Sequence, residues 1–468
     1  MSESKSKLRV LDLEPGAEIF VVNHRLERIE KAVSPGPGGA LEYELEPGIY
    51  KLRFRAGYSM QDHLVALEGG QTLEFRAPRL AFNSAAPLQG TADFAGPQRQ
   101  SAHRISQQTQ RELGQGGGFF LYISDPDRRG RRPLAEGVSL HDLQGQPILN
   151  VPRAGKTSPR SAPEPWFALS ASLEPGSYRL RVTTAQGKLE QSVVVCPGWQ
   201  TQVFLRRTPF WHSQRSQRAP NLFEASVLML RLGEGFRPER PDLRWTELAR
   251  QGLSSGRAVL EPSLIEQLLD QKLENPMLGL LGGHLLLLGN PEQGRLERIV
   301  WRLREILNYP HPDVEALALR AGLEVQPLST PPLLRSSWAL WLQGSLNHPE
   351  LIPLGSFPER ISTAIAGSGA WLVWQYRPQL DQPAPSPGQD PVYRQMKAQV
   401  SGYLHRLQQY TQLTQSERSS LPQSLSQLAQ QLPPDPLRPE MSSAQQLARA
   451  TGLPLQSVKR ILEEEEQA

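Results

Sequence analysis

One short phrase occurs twice in this chain, and it constrains the fold more than any other feature. Residues 45–53 read LEPGIYKLR, and residues 173–181 read LEPGSYRLR. A Gln-Thr pair followed three residues later by Phe then occurs at 71–75 and again at 200–204. Each copy joins a Pro-Gly turn to alternating apolar side chains, a pattern typical of a β-strand. Self-similarity at a nearly fixed spacing therefore predicts one small β unit present in two copies.

Composition bounds the class of protein. A length of 468 residues, with 38% apolar and 21% charged, suits a soluble globular chain of several domains. The net charge of +4 is too small for this length to indicate nucleic-acid binding. The single Cys196 excludes an intramolecular disulfide and a multi-cysteine metal site, which fits a reducing compartment.

Targeting signals are the next constraint. Residues 1–7 contain no apolar stretch, so we expect no signal peptide. The longest apolar run, residues 277–288, contains three glycines and is too short to cross a bilayer. We therefore expect a cytoplasmic protein without a membrane span.

The apolar period changes once along the chain. Up to about residue 208 a period of two dominates, and from about residue 221 the period is 3.6. We therefore expect a multidomain chain with β before α: two small antiparallel β-sandwiches followed by an α-helical domain and a C-terminal helical hairpin. The predicted divisions are a first sandwich at 8–80, a flexible linker at 81–117, a second sandwich at 118–208, a helical domain at 221–378, a Pro-rich linker at 379–390, a helical segment at 391–432 and a hairpin at 441–468.

Capping signals place the helices. Ser263 can cap one helix, and Pro276 suits the first turn of the next. The predicted helices cover 263–273, 277–288, 296–307, 313–321, 333–343 and 357–376, with a short one at 107–113 inside the first linker.

The first β unit carries short motifs around its predicted turns. They are Pro15-Gly16-Ala17 before a strand, Leu45-x-Pro47-Gly48-x-Tyr50, the Gly57-Tyr58 pair, and Gly69 before the last strand. With these motifs the unit resembles PEGA-type domains, compact β-sandwiches that are generally non-catalytic extracytoplasmic or signalling modules. The second unit lacks a Gly-Tyr pair and has insertions at 125–133 and 151–165, so we expect an immunoglobulin-like sandwich there.

The helical region has a distinctive texture at three places: 274–287 (ENPMLGLLGGHLLL), 331–338 (PPLLRSSW) and 348–353 (HPELIP). It is similar there to helical accessory regions of bacterial proteins that accompany caspase-like peptidases in defence systems. The resemblance implies a protein partner, such as a peptidase effector encoded nearby. We interpret His284 as a core or cap histidine with one hydrogen bond.

Tryptophan is concentrated in the helical region, which holds six of the nine. Because Trp and Arg most often anchor interfaces, the candidate partner-binding residues are Arg335, Trp338, Trp341, Trp371 and Trp374. This hypothesis requires at least one of those four tryptophans to be exposed beside an arginine such as Arg335 or Arg377. The alternative is that all six tryptophans of the region belong to the core.

Residues 443–462 resemble the helix-turn-helix of winged-helix regulators. Gly452 permits the tight turn between two helices. If the hairpin bound DNA, its second helix would present Gln456, Ser457, Lys459 and Arg460 to a major groove. The four glutamates at 463–466 would repel phosphates, which favours a protein-docking or dimerising hairpin.

Other motifs indicate no chemistry. The glycines at 114–118 precede a strand, and no phosphate loop, zinc-protease motif or nucleophile elbow occurs. We therefore expect no cofactor, no metal and no enzyme activity. A candidate exposed basic loop contains Arg128, Arg129, Arg131 and Arg132.

The expected function is that of a non-enzymatic multidomain interaction protein: an adaptor, regulator or substrate of a bacterial effector or protease system. The alternative is a DNA-binding transcriptional regulator that uses the C-terminal hairpin.

Overall fold

Strands occupy the N-terminal half of the chain and helices dominate the C-terminal half. The computed structural model describes residues 5–14, 16–33, 40–80, 82–91, 96–126, 133–159, 162, 164–209, 218–260, 275–289, 291, 293–383, 385, 389–412 and 440–466.

The first β unit has seven strands in two sheets. The strands are β1 (Ser6–Leu11), β2 (Glu18–Val22), β3 (Arg28–Val33), β4 (Leu41–Leu45), β5 (Gly48–Ala56), β6 (Ser59–Leu67) and β7 (Thr72–Arg76). One sheet has the order β4-β1-β7 and the other β3-β2-β5-β6. Alternate side chains from both sheets, such as Leu8 and Leu52, are buried in the same core.

The second β unit is larger. Its strands are β8 (Arg111–Glu112), β9 (Gly117–Ser124), β10 (Val138–His141), β11 (Pro147–Leu149), β12 (Lys156–Thr157), β13 (Trp166–Leu173), β14 (Gly176–Thr184), β15 (Gly187–Val195), β16 (Trp199–Pro209), β17 (Arg218–Pro220) and β18 (Ser226–Arg231). One sheet contains β13-β9-β16 and the other contains β11-β10-β14-β15.

These two units have the same strand order. In the first unit β1 lies between β4, to which it is antiparallel, and β7, to which it is parallel. In the second unit β9 lies between β13 and β16 with the same two orientations. The four-stranded run β3-β2-β5-β6 corresponds strand for strand to β11-β10-β14-β15. The repeated phrase therefore marks a repeated topology.

A tyrosine explains why the phrase recurs. The hydroxyl of Tyr50 donates to the carbonyl of Glu46 at 2.8 Å, and that of Tyr178 donates to the carbonyl of Glu174 at 2.7 Å. Each bond ties the start of a strand to the turn before it, as the tyrosine corner does in immunoglobulin-like sandwiches.

The helices follow, with two further strands among them. The helices are α1 (Gly96–Ser106), α2 (Val151–Ala154), α3 (Pro241–Ser254), α4 (Pro276–Leu286), α5 (Gln293–Leu307), α6 (Pro312–Arg320), α7 (Arg335–Ser345), α8 (Phe357–Ile361), α9 (Pro391–Gln412), α10 (Ser443–Thr451) and α11 (Leu455–Glu466). The strands are β19 (Ile365–Ala366) and β20 (Val373–Gln375), and 3₁₀ turns lie at Leu287–Gly289, Pro349–Leu351 and Pro378–Asp381.

Local signals placed several helix ends correctly. Asn275 caps α4 by accepting from the Leu278 amide, and Pro276 occupies the first turn. The helix predicted at 263–273 lies outside the described residues. The helix predicted at 357–376 is wrong: it ends at Ile361 and gives way to β19 and β20. Gly367 (φ 68°) and Gly369 (φ 132°) adopt left-handed backbone conformations that interrupt a helix.

The predicted linker at 81–117 is a packed segment, which corrects that expectation. Phe82, Leu88 and Ile105 are buried in a core they share with Phe120. The helix of this segment is α1, and residues 107–113, where the short helix was predicted, are not helical. The described parts of the segment, 82–91 and 96–117, are packed because their few apolar side chains find partners on the second β unit.

Both ends of the Pro-rich segment 379–390 are anchored. Leu380 is buried, and near the other end Asp390 accepts from the Arg360 guanidinium at 2.6 Å. The predicted helical segment 391–432 is α9 up to Gln412, and residues 413–439 lie outside the described part of the chain.

One core runs through the β units and the first helices. The same buried cluster contains Leu8 of the first unit, Leu121 of the second and Leu303 of α5. The first unit also touches α3 closely, because a Cβ on Gly57 would lie 1.7 Å from the Gln251 Oε1 atom. The core therefore crosses the predicted division between 208 and 221.

Among the described residues, none of the helices combines the length and the apolar character that a bilayer crossing demands.

The repeated tyrosine bond can be tested by removing one oxygen. Tyr50→Phe and Tyr178→Phe each delete the bond to the preceding carbonyl and keep the ring, so each should lower the free energy of unfolding by about 1 kcal/mol. Urea unfolding of the full chain measures this. Tyr58→Phe is the control, because Tyr58 is exposed and the same change should have little effect. Equal stability of all four proteins would contradict the role given to the bond.

Candidate docking faces of the two β units

The repeat places the same charges at equivalent positions of both units. In the first unit Arg53 is paired across the strands with Asp62. In the second unit Arg181 is paired in the same register with Glu190. Two residues before each of these arginines, on the same face of the same strand, lies another base. It is Lys51 in the first unit and Arg179 in the second. Each unit thus carries two bases on one strand and an acid on the next.

These charges form ion pairs in both units. Asp62 lies 2.7 Å from both Lys51 and Arg53, and these bases hold the pKa of its carboxyl well below the usual range. Glu190 lies 2.8 Å from Arg181 and 3.5 Å from Arg179.

In the second unit this surface is covered. We call the outer face of β14 and β15, with Arg179, Arg181 and Glu190, the docked face. Arg179 and Glu190 are completely buried. A second carboxylate, Asp381, lies 2.5 Å from Arg179 and 3.4 Å from Arg181, which balances two positive charges with two negative ones. Burial of these charges requires such compensation.

Aromatic side chains complete the cover. The Phe357 ring lies 4.7 Å from the Arg179 guanidinium, and the Tyr376 ring lies 3.5 Å from that of Arg181. Cations over aromatic faces are stabilised most where water is excluded. All of these covering residues come from the C-terminal half of the chain.

Backbone pairing adds to the contact. β20 joins the edge of β15 as an antiparallel strand, with Glu190 opposite Trp374. The Trp374 indole donates to the Glu190 carboxylate at 2.9 Å, and the Ser192 hydroxyl donates to the Pro331 carbonyl at 2.8 Å. The second unit therefore binds a protein segment by strand addition and by charge pairing together.

In the first unit the equivalent surface is exposed. We call the outer face of β5 and β6, with Lys51, Arg53 and Asp62, the open face. Leu64 on β6 is 76% exposed and Met60 is 52% exposed. Among the described residues no strand pairs with the outer edge of β6, which ends the sheet.

Four tryptophans predicted to bind a partner are buried instead: Trp338, Trp341, Trp371 and Trp374. The indoles of three of them donate within the chain, Trp341 to Pro312, Trp371 to Ala225 and Trp374 to Glu190. The exposure expected beside Arg335 or Arg377 is therefore wrong. Arg335 itself donates to the Gly367 carbonyl. These side chains pack the helical part on itself and on the docked face.

Among the described residues, the exposed tryptophan is a different one. Trp301 is 58% exposed, and its ring lies 5.4 Å from the Arg304 guanidinium. It borders a groove of about 710 Å³ that also contacts Tyr309 and Val325. A signal for it existed in the sequence, since Trp301 lies off the apolar stripe of α5 that Leu303 and Leu307 belong to.

The C-terminal hairpin has the expected shape. Ser442 and Gln445 form a capping box at the start of α10, and Gly452 ends that helix with a φ of 70°.

Most of the residues predicted to contact DNA contact other parts of the chain instead. Ser457 is buried and donates to Glu359 at 2.7 Å, and the Arg460 guanidinium lies 4.3 Å from the Tyr393 ring. Gln456 is half-buried, and Lys459 is exposed. The expectation that all four side chains face a groove is wrong because α11 packs this side against α8 and α9. The predicted basic loop, Arg128, Arg129, Arg131 and Arg132, lies outside the described residues.

A buried polar group links α4, α6 and α7. The His284 Nε2 atom lies 2.8 Å from the Ser337 hydroxyl, and both residues are buried, which confirms the interpretation of His284 as a core histidine with one hydrogen bond. The Asp313 carboxylate accepts from the amides of Leu333 and Leu334 at 2.8 and 2.7 Å. Because no solvent reaches the serine and histidine, this pair joins helices and has no path to a substrate.

Two further observations concern chemistry. Burial raises the pKa of the Cys196 thiol to about 12, which keeps it protonated. Within the described part of the chain, no group of three His, Cys, Asp or Glu side chains is arranged to hold a metal ion.

No protein-family model matches this chain, and no curated protein matches it. Among solved structures, the Bacillus anthracis TIE protein is similar to part of it, with 14% sequence identity and a TM-score of 0.17. The match covers 42% of this chain and 32% of that protein. A TM-score this low carries no argument, so the functional proposals rest on the geometry of the docked and open faces.

The two faces predict losses of stability of different size for equivalent substitutions. Glu190→Gln leaves two buried guanidinium groups with one carboxylate, so it should lower the free energy of unfolding by about 3–5 kcal/mol. Asp62→Asn removes the same charge from an exposed cluster and should cost less than about 1 kcal/mol. Urea unfolding compares them. Similar small losses in both variants would contradict the compensation assigned to the docked face.

His284 predicts a pH dependence of stability. Burial lowers the pKa of His284 to about 3 in the folded chain, although the Asp313 backbone partly counteracts this lowering. In the unfolded chain a histidine titrates near 6.5. Between these values only the unfolded chain binds the proton. The free energy of unfolding should therefore be undiminished above pH 6.5 and fall toward pH 3 by up to about 1.4 kcal/mol per pH unit.

Unfolding at pH 7.5 and at pH 5.0 measures this fall. The loss of unfolding free energy between these two pH values should be smaller in His284→Gln than in the parent by about 2 kcal/mol. This is the contribution of one histidine that binds a proton only in the unfolded chain, over about 1.5 pH units. His348→Gln, a change at an exposed histidine, is the control and should leave the fall unchanged. An unchanged fall in His284→Gln would refute the assignment.

Proposed function

We propose that this chain is a non-enzymatic interaction protein that binds a partner protein. The observation that carries the proposal is the docked face. There one copy of the repeated unit already holds a strand, a carboxylate and three aromatic rings supplied by another part of the polypeptide. A surface that performs this task within the chain has the chemistry to perform it between chains.

The proposed role is that of an adaptor, regulator or substrate in a bacterial effector or protease system. That assignment rests on the resemblance of the helical region to accessory regions of such systems. Two exposed surfaces are available for the partner, the open face and the Trp301 groove. Both combine exposed apolar side chains with arginine, the composition that favours interface anchors.

Site-specific photo-cross-linking in the source cells tests the proposal. A photoreactive residue is placed at Leu64 in one variant and at Trp301 in another. The control variant carries it at Leu354, which is exposed to solvent but lies outside both surfaces. The expected result is a discrete cross-linked protein from Leu64 or Trp301 and none from Leu354. The captured protein, once purified, should form a complex of defined stoichiometry with the full chain. The absence of a cross-linked protein from both positions would overturn the proposed function.

A further inference from the structure

The outer edge of β6 is unusual for an edge strand. It is nine residues long, contains neither lysine nor proline, and exposes Met60 and Leu64. Native sheets usually protect such an edge, because its unpaired amides and carbonyls accept any strand that approaches. In the second unit the equivalent edge, on β15, is filled by β20.

We propose that β6 and the open face bind an extended segment of a partner protein that adds an antiparallel strand, presents aromatic side chains, and supplies a carboxylate to Lys51 and Arg53. This inference rests on the proposed function and names its surface and partner chemistry. Strand addition supplies the backbone bonds of such a complex, and side chains beside the edge supply its selectivity.

The register of the two hairpins fixes the correspondence. Tyr50 lies opposite Val65, and Tyr178 lies opposite Val193. Each hairpin also turns after the same number of pairs, since Ala56 lies opposite Ser59 and Thr184 lies opposite Gly187. Lys51 and Arg53 therefore occupy the places of Arg179 and Arg181, and Asp62 occupies the place of Glu190.

Charge identifies what the open face lacks. On the docked face Arg179 and Arg181 contact two carboxylates, Glu190 and Asp381. Among the described residues, Lys51 and Arg53 on the open face contact one carboxylate, that of Asp62. The missing member is the equivalent of Asp381, which the C-terminal segment brings to the second unit. A partner carboxylate would complete the same balance.

The neighbouring side chains extend the argument. Lys31, Arg55 and Arg257 contact the buried Glu18, at 3.3, 2.6 and 3.7 Å. Together with the Lys51 cluster, five bases therefore meet two acids on this side of the sheet. Arg55 and Lys31 also lie over the Phe20 ring, at 4.8 and 5.8 Å. The face is basic and partly apolar, which suits an acidic, aromatic segment and disfavours a basic one.

Leu64 adapts this copy to an external partner. It occupies the place of Ser192, whose hydroxyl is used internally by Pro331. A leucine there offers apolar area to an aromatic side chain and needs no hydrogen-bond partner.

The chain contains a defined probe for this site. A synthetic peptide of residues 370–382 carries β20, Asp381 and two of the three covering aromatic residues, Trp374 and Tyr376. We expect it to bind the purified full chain with one-to-one stoichiometry. Hydrogen exchange should then slow at 59–67, because the amides of β6 gain partners. Slowing at 187–195 alone would show displacement of the internal strand and would overturn the proposal.

Variants of the full chain locate the binding. Lys51→Glu and Leu64→Lys should each weaken the peptide about tenfold or more, the first by charge reversal and the second by blocking the apolar edge. Arg76→Glu is the matched control, since Arg76 is an exposed base on the other sheet of the same unit. It should leave the affinity unchanged. The peptide with Asp381→Asn should bind more weakly to the parent chain and be less sensitive to Lys51→Glu.

Three results would overturn the inference. One is the absence of peptide binding, and another is binding that Lys51→Glu and Leu64→Lys leave unchanged. The third is concentration-dependent dimerisation of the full chain that Leu64→Lys abolishes, which would assign the edge to a second copy. If cross-linking from Trp301 succeeds while these tests fail, the proposed function stands and only the open face is excluded.

Discussion

The buried ion cluster of Arg179, Arg181, Glu190 and Asp381 is the interaction on which the architecture depends. Two guanidinium groups cannot be buried without compensation, and one carboxylate on the adjacent strand supplies half of it. The other half comes from Asp381, about 200 residues away along the chain. The cluster is complete only when the C-terminal half lies on the second β unit. This links the folding of the strands to that of the helices.

Duplication gives the chain one surface in two states. The docked face is covered by aromatic rings, pairs with β20 and buries Arg179 and Glu190 completely. The open face keeps the same base–base–acid pattern in solvent, where ion pairs contribute little to stability. Since stability does not require the pattern on the open face, the proposed binding would account for its presence there. The internal complex thus serves as the geometric template for the proposed external one.

Several local elements were predictable from the sequence because their causes are local. Alternation and Pro-Gly turns indicated β5 and β14, and the Asn275-Pro276 pair indicated the start of α4. The predictions that failed involve distant partners. The segment 357–376, predicted as one helix, contains a short helix and two short strands instead. Its tryptophans Trp371 and Trp374 donate to the Ala225 carbonyl and the Glu190 carboxylate, more than 140 residues away along the chain.

The sequence by itself determined that a β unit occurs twice, since the repeated phrase encodes a turn, a strand and a tyrosine bond that all lie within a few residues. It also determined where two bases and an acid would stand on each unit. Only the tertiary structure decided which copy is covered. Whether an edge is filled depends on β20 and Asp381 reaching β15 across the fold, and contacts over that distance leave no trace in local periodicity.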